Sequence, residues 1–176
     1  TYAHRGFSAA HPENTIEAFR AALDLGVYGV ELDVHASADG VPVVIHDAEL
    51  ERTTNGTGLV TSKTVAELAA LDAGNGQKVP TFEEVVALAR GRFHFDIEIK
   101  GQNCEQGVLD VLARHPETRS AISSFDWDIL RTVRRLAPDF DLWVLTPTID
   151  DAAIAAAHEL DATTLAVYHL SITQSS

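Results

Sequence analysis

Seven short segments of the chain carry the apolar runs or the strict apolar and polar alternation that are typical of strands. They lie at residues 2 to 5, 29 to 33, 42 to 46, 93 to 99, 121 to 125, 142 to 145 and 163 to 168. Apolar residues at helical spacing fill most of the intervals between them. Because strands that alternate with helices form parallel sheets, the pattern predicts an α/β fold.

Local capping signals mark where the helices begin. Asn14 is predicted to cap a first helix, which Gly26 ends, and its place in the run from Pro12 to Thr15 leaves a role in shaping a site open. Thr64 and Thr81 each precede a glutamate by three residues, which predicts two further helices that start with capping boxes. Additional helices are predicted near residues 105 to 114, 128 to 136 and 150 to 160.

Two carboxylates stand two residues apart on the second predicted strand. Glu31 and Asp33 would project from the same face. Like charges repel there unless a cation lies between them or one of the pair takes a proton. Mg²⁺ and Ca²⁺ both prefer carboxylate oxygens, so the pair indicates a metal site. The alternative is an ordinary hairpin with a polar face.

The third predicted strand ends at His46, and its direction is open. Only residues 36 to 41 separate the second and third strands, which is too short for the ~10 to 12 residues of a helical crossover. Either the two strands form an antiparallel hairpin, or the chain returns in extended form and climbs again in parallel. The second arrangement places His46 at the same end as Glu31 and Asp33, and we favour it.

Ionisable side chains alternate with apolar ones on the fourth predicted strand. They are His94, Asp96, Glu98 and, just beyond the strand, Lys100. This face would be solvated in an open sheet. Inside a barrel it would point to the centre, where Glu98 could join the other two carboxylates on one metal and Lys100 could face an anion at the rim. The polar stretch from 48 to 80 is predicted to be an excursion over one end of the sheet.

Composition narrows the classes of partner. The chain has 176 residues with no linker-like stretch, which predicts one domain. Its net charge of −13 argues against nucleic acid or an anionic membrane as the main partner. The single cysteine, Cys104, allows no internal disulfide, and no stretch reaches the ~20 apolar residues of a membrane helix. We therefore expect a soluble protein, in the cytoplasm rather than secreted.

Several short motifs follow one another along the chain. They are His4-Arg5-Gly6, Pro12-Glu13-Asn14-Thr15, Glu31-Leu32-Asp33, His46-Asp47, Arg52-Thr53-Thr54 and Glu98-Ile99-Lys100. In identity and order these motifs resemble the glycerophosphodiester phosphodiesterase family. The resemblance implies a TIM (β/α)8-type barrel of the phospholipase-C-like kind. It also implies one divalent cation, Mg²⁺ or Ca²⁺, and hydrolysis of a small-molecule glycerophosphodiester to glycerol 3-phosphate and an alcohol.

The resemblance also implies roles for individual residues. It assigns a catalytic pair, His4 and His46, the metal ligands Glu31, Asp33 and Glu98, and the phosphate-binding cations Arg5 and Lys100. One histidine would act as base and the other as acid, and the sequence leaves open which does which. It leaves open as well whether water or the neighbouring glycerol hydroxyl attacks the phosphorus.

The chain departs from the family pattern after the seventh strand. The last helices and the eighth strand, which bears a tryptophan in the family, have no counterpart before Ser176. We expect the native protein to continue, or a partner to complete the open barrel by association. A non-catalytic barrel fragment that acts as an assembly module is one alternative function. A phospholipase-D-like enzyme of the same superfamily is another. His169 is a further candidate for contact with the substrate.

Overall fold

The computed structural model describes residues 1 to 167, and these form a β/α partial barrel. In chain order the elements are β1 (Tyr2–His4), α1 (Ile16–Asp24), β2 (Gly29–Ala36), β3 (Pro42–Val44), a 3₁₀ helix (Val60–Ser62), α2 (Val65–Ala69), α3 (Phe82–Ala89), β4 (His94–Ile99), α4 (Glu105–Arg114), β5 (Arg119–Ser124), α5 (Trp127–Leu136), β6 (Leu142–Thr146), α6 (Asp151–Glu159) and β7 (Thr164–Val167).

Six of the strands form the wall of the barrel. They follow the order β1-β2-β4-β5-β6-β7, and every neighbouring pair is parallel. The prediction of a parallel α/β barrel is therefore confirmed. Within the described part of the chain, β1 and β7 are the two edges of this sheet. The predicted end of the seventh strand at Tyr168, and the candidate His169, lie outside the described residues.

The predicted direction of β3 is wrong. β3 pairs with β2 in the antiparallel sense and lies off the barrel wall. The reason is that β2 does not stop at Asp33 but runs on to Ala36, so a turn at Gly40, with φ of 78°, returns the chain along the same strand. The backbone N–H of Ile45 then donates to the Asp33 carbonyl at 3.0 Å. His46 follows directly and still reaches the level of the carboxylates.

Apolar side chains form two cores. The larger one lies between the outer face of the sheet and the helices, with fully buried Leu32, Phe95 and Ile97. The smaller one is formed mainly by the excursion, where Leu50 and Leu68 pack beneath β3. The segment from 48 to 80 is thus held in place by its own apolar contacts. No helix within residues 1 to 167 is both long enough and apolar enough to cross a membrane.

The helix caps agree with the sequence except at α1. Both predicted capping boxes, at Thr64 and at Thr81, are present. The cap of α1, however, is Thr15, whose hydroxyl accepts a hydrogen bond from the backbone N–H of Ala18. Asn14 has a left-handed backbone with φ of 57° and directs its side chain to Asp33 instead. The prediction that Asn14 caps the helix is therefore wrong, because the next residue takes that position.

Candidate active site

The carboxyl ends of β1, β2 and β4 bring the predicted site residues together. These strands are neighbours, and their register sets His4 beside Glu31 and Asp33 beside Glu98. The side chains concerned occupy alternate positions, so they share the inner face of the barrel while their apolar neighbours face the helices. Lys100 follows β4 directly. One strand end after another therefore supplies polar groups to the same space.

Three carboxylates form the centre of this space. Glu31, Asp33 and Glu98, called here the carboxylate trio, each offer an oxygen within 4.8 Å of the other two. Within residues 1 to 167, Glu31 Oε1 and Asp33 Oδ1 are buried and accept no hydrogen bond. Burial first, and then the charge of Asp33, hold the pKa of Glu31 well above its usual value. Buried, mutually repelling carboxylate oxygens fit the ligand set of a divalent cation.

Asn14 supports the trio from the loop after β1. Its Nδ2 donates to Asp33 Oδ2 at 2.9 Å, while its own Oδ1 is buried without a hydrogen bond. Together with Arg5 Nε, the amide holds this buried carboxylate in one orientation. Sequence reasoning favoured a helix cap for Asn14 and left a role in the site open, on account of its place in the Pro12–Thr15 motif.

Two cations flank the trio. Arg5 has φ of 57°, and its backbone N–H donates to Glu31 Oε2 at 3.0 Å while its Nε lies 3.2 Å from Asp33 Oδ2. Lys100 Nζ donates to Glu98 Oε1 at 2.8 Å and lies 3.8 Å from Asp33 Oδ1. Positive groups thus surround the carboxylates in a chain of strongly negative net charge. An anionic ligand would meet local cations in spite of that overall charge.

The two predicted histidines lie beside different members of the trio. His4 Nε2 is 3.6 Å from Glu31 Oε2, and its ring is 62% exposed. His46 Nε2 is 4.0 Å from Asp33 Oδ1 and 3.3 Å from Lys100 Nζ. Both rings therefore reach the groups that would hold a cation.

The partners of His46 define its tautomer. An ammonium group can only donate, so the contact with Lys100 Nζ assigns Nε2 as the acceptor nitrogen. The proton is then on Nδ1, which donates to Asp47 Oδ1. The backbone carbonyl of His46 is held as well, by His35 Nε2 at 3.0 Å. His46 consequently presents a basic nitrogen to the site.

A fourth carboxyl lies below the trio. Asp96 pairs in register with Glu31, and Ser123 Oγ donates to its Oδ1 at 2.6 Å. Burial raises the pKa of Asp96 to about 6. Sequence reasoning placed Asp96 on the inner face but gave it no role, since alternation alone does not separate a metal ligand from its neighbours.

The site opens into a cavity of about 500 Å³. One side is charged and carries the groups described above. The other side is apolar and is formed by Phe125, Leu145, Ala166 and Val167. A charged half beside an apolar half suits a ligand that has an anionic group and a less polar group attached to it.

Fold and site together define a β/α-barrel protein with a polar centre at the carboxyl ends of its parallel strands, which is where barrels of this class carry their active sites. The chain belongs to the glycerophosphoryl diester phosphodiesterase family, whose profile matches residues 4 to 175.

Individual relatives agree with this membership. A glycerophosphodiester phosphodiesterase of Caldanaerobacter subterraneus is 41% identical over 157 residues, which cover 81% of this chain and 65% of that protein. The chain thus spans less than two thirds of that relative. A phosphodiesterase of Oleispira antarctica, solved in complex with the product sn-glycerol-3-phosphate, superposes with a TM-score of 0.89 at 31% identity, covering 93% of this chain and 72% of the other. A glycerophosphodiester phosphodiesterase of Agrobacterium tumefaciens superposes with a TM-score of 0.83 at 32% identity. The superposition covers 92% of this chain and 73% of the other.

Proposed function

We propose that this chain hydrolyses glycerophosphodiesters to glycerol 3-phosphate and an alcohol with the help of one divalent cation. The observation that carries the proposal is the pair of buried oxygens, Glu31 Oε1 and Asp33 Oδ1. They accept no hydrogen bond from any residue that the structure describes, and they lie among two histidines and two cations. The product bound to the Oleispira phosphodiesterase supports glycerol 3-phosphate as one half of the substrate.

The carboxylate trio would hold the cation, either Mg²⁺ or Ca²⁺. When bound, this ion would supply charge neutralisation for the phosphodiester and for the carboxylates that surround it. Arg5 and Lys100 would bind phosphate oxygens, since both already lie beside Asp33 and present donors to the cavity. Donors fixed in advance where negative charge accumulates stabilise a transition state more than mobile ones.

His4 and His46 would move the protons. One takes a proton from the nucleophile, and the other gives one to the departing alkoxide. The carboxylate of Asp47 holds the His46 ring in place and would stabilise its protonated form. Imidazole side chains can in general take up and release protons in the physiological pH range, so a histidine can serve either purpose.

The nucleophile is either water or the glycerol hydroxyl next to the phosphate. The second route passes through a cyclic phosphate, which ³¹P NMR would detect during turnover. A substrate that lacks this hydroxyl provides an independent check, because only the direct route would hydrolyse it.

Release of glycerol 3-phosphate from glycerophosphocholine by the purified 176-residue chain tests the proposal. We expect turnover with Mg²⁺ or Ca²⁺ and none with a chelator. His46→Ala should lower the rate by about 10²- to 10⁴-fold, the usual contribution of an acid or base. His158→Ala, on the exposed face of α6, is the matched control and should have the wild-type rate. No release from a folded chain that binds the cation would contradict the proposal.

A further inference from the structure

Arg52 lies in the segment from 48 to 80, outside the strands that build the site, yet its guanidinium contacts two carboxylates beside that site. Nη2 and Nη1 donate to the two oxygens of Glu13 at 2.8 and 3.1 Å. Nε and Nη2 donate to the two oxygens of Asp47, the latter at 3.0 Å. Arg52 thus makes a two-pronged contact with each carboxylate, which Lys could not reproduce. We call these three residues the arginine bridge.

Each carboxylate of the arginine bridge also holds a residue of the candidate site. Asp47 Oδ1 accepts from His46 Nδ1, and Glu13 Oε1 accepts from Arg5 Nη1 at 3.0 Å. A continuous series of hydrogen bonds therefore runs from Arg5 through the bridge to His46. It joins the loop after β1 to the loop after β3, which no strand pairing connects directly.

We propose that Glu13 and Arg52 are positioning residues of the reaction, acting through Asp47 on His46 and directly on Arg5. In this arrangement Arg52 fixes the Asp47 carboxylate. Asp47 in turn keeps the His46 proton on Nδ1, so Nε2 stays turned to the cavity. The kinetic part of this inference rests on the proposed hydrolysis, whereas the orientation of the ring does not.

The surroundings of the bridge argue for positioning rather than for general stability. Arg52 is 47% exposed, and exposed ion pairs contribute little to folding. The backbone of His46 is held separately, by His35 and by the β3 hairpin. Hydrogen bonds from Arg52 hold the pKa of Asp47 well below its usual value, so Asp47 remains an acceptor. Loss of Arg52 should therefore release the ring without unfolding the chain.

The tautomer of His46 gives a test that does not depend on activity. Long-range ¹H–¹⁵N NMR of the labelled chain, at a pH where the ring is neutral and with the signal assigned by its absence in His46→Gln, should show the proton on Nδ1. In Arg52→Gln we expect a mixture of the two tautomers. Arg131→Gln is the matched control, because Arg131 also bridges two carboxylates, Glu159 and Asp128, but on the outer helices. An unchanged single tautomer in Arg52→Gln would overturn the proposal.

Kinetics provides the second test. Arg52→Gln should lower kcat by about 10- to 100-fold, as removal of supporting hydrogen bonds does at other sites, while KM and cation affinity change less than about twofold. Arg52→Lys should have a kcat between those of Arg52→Gln and wild type. If Arg52→Gln does not fold, Arg52→Lys takes its place in both tests. Glu13→Gln should raise KM as well, because it also releases Arg5. Wild-type kcat in both Arg52 variants would overturn the proposal. A wild-type chain without turnover would instead refute the hydrolysis, with the NMR result still deciding the ring orientation.

Discussion

The two ends of the barrel interior use similar residue types for opposite purposes. β1 carries Tyr2 toward its amino end and His4 at its carboxyl end, and β4 carries His94 and Glu98 in the same way. All four side chains lie on inward positions of the same strands. What separates the two ends is therefore the set of partners that each side chain finds.

At the amino end the side chains satisfy one another. His94 stacks on Tyr28 and on Trp143, with ring centroids 5.8 Å apart in both pairs. Tyr2 lies edge-on to His94 and shares a hydrogen bond of 2.9 Å with its Nδ1. These four residues, which we call the aromatic cluster, contact one another at this end of the barrel, and such ring contacts stabilise the folded chain.

At the carboxyl end the side chains satisfy one another only in part, for example through Lys100 and Glu98 or Asn14 and Asp33. Glu31 Oε1 and Asp33 Oδ1 have no hydrogen bond in the described part of the chain, and the trio concentrates negative charge in a buried space. Such an arrangement costs folding free energy unless a ligand balances it. A histidine or an acid on the inner face of the barrel is therefore not by itself evidence of a functional site. A buried carboxylate oxygen without a hydrogen bond is the more specific evidence.

The largest expected effect follows from removing a charge from the trio. Asp33→Asn should reduce hydrolysis by about 10³-fold or more, since a bound cation contributes several kcal/mol to transition-state stabilisation. The measurement is the rate of glycerol 3-phosphate release at saturating cation. Asp128→Asn, on the exposed side of α5, is the control. A rate within tenfold of wild type would mean that Asp33 holds no cation.

Removal of a ring from the aromatic cluster should affect stability instead. Trp143→Ala is expected to lower the free energy of unfolding by about 3 kcal/mol, the lower end of the range for aromatic truncation, because this ring is only partly buried. Urea denaturation measures the change. Ile149→Ala, at a residue that is 60% exposed, should have almost no effect. Equal stability of the two variants would show that the cluster does not support the barrel.

The pH dependence of stability should expose the cost of the buried acids. The pKa of Asp96 is raised from 3.8 to about 6 in the folded chain, so between these values the unfolded chain releases a proton that the folded chain keeps. The free energy of unfolding therefore falls as the pH rises through this window. The measurement compares wild type with Asp96→Asn, both in the presence of a chelator. Between pH 4 and pH 7 the free energy of unfolding of wild type should fall by about 2 to 3 kcal/mol relative to that of the variant. If the difference in unfolding free energy between the two proteins stayed constant over this range, the raised pKa of Asp96 would be contradicted.

The smallest effect is expected for a single hydroxyl. Tyr2→Phe removes the hydrogen bond to His94 but keeps the ring contacts, which should lower the free energy of unfolding by about 1 kcal/mol. Hydrolysis should not change, although His4 lies only two residues away on the same strand. Calorimetric melting and the hydrolysis assay together measure this prediction. A loss of activity without a loss of stability would place the aromatic cluster in the site.

Much of the fold was predictable because local signals and periodicity agree. The capping boxes at Thr64 and Thr81 and the alternation through β4 identify elements within a few residues of their ends. The direction of β3 was not predictable in the same way. The direction of β3 depends on where β2 ends. β2 continues to Ala36, and the sequence has no clear strand-ending signal after Asp33.

The seven site residues named from sequence all line or adjoin one cavity, since most of them sit at strand ends that the parallel sheet brings together. The residues that sequence reasoning missed depend on contacts between distant loops. Arg52 meets Glu13 across 39 positions of the chain, and no periodic pattern records such a contact. Asn14 was assigned to the nearest helix because its local signal and its tertiary role compete.

The most direct test is calorimetric titration of the chain with Mg²⁺ and with Ca²⁺, in parallel with Asp33→Asn and Trp143→Ala under conditions where both variants are folded. We expect wild type to bind one cation per chain with saturation, Trp143→Ala to bind with the same stoichiometry, and Asp33→Asn to show no saturable binding. Absence of binding to wild type, or equal binding to Asp33→Asn, would contradict the distinction between a metal-binding end and a supporting end of the barrel.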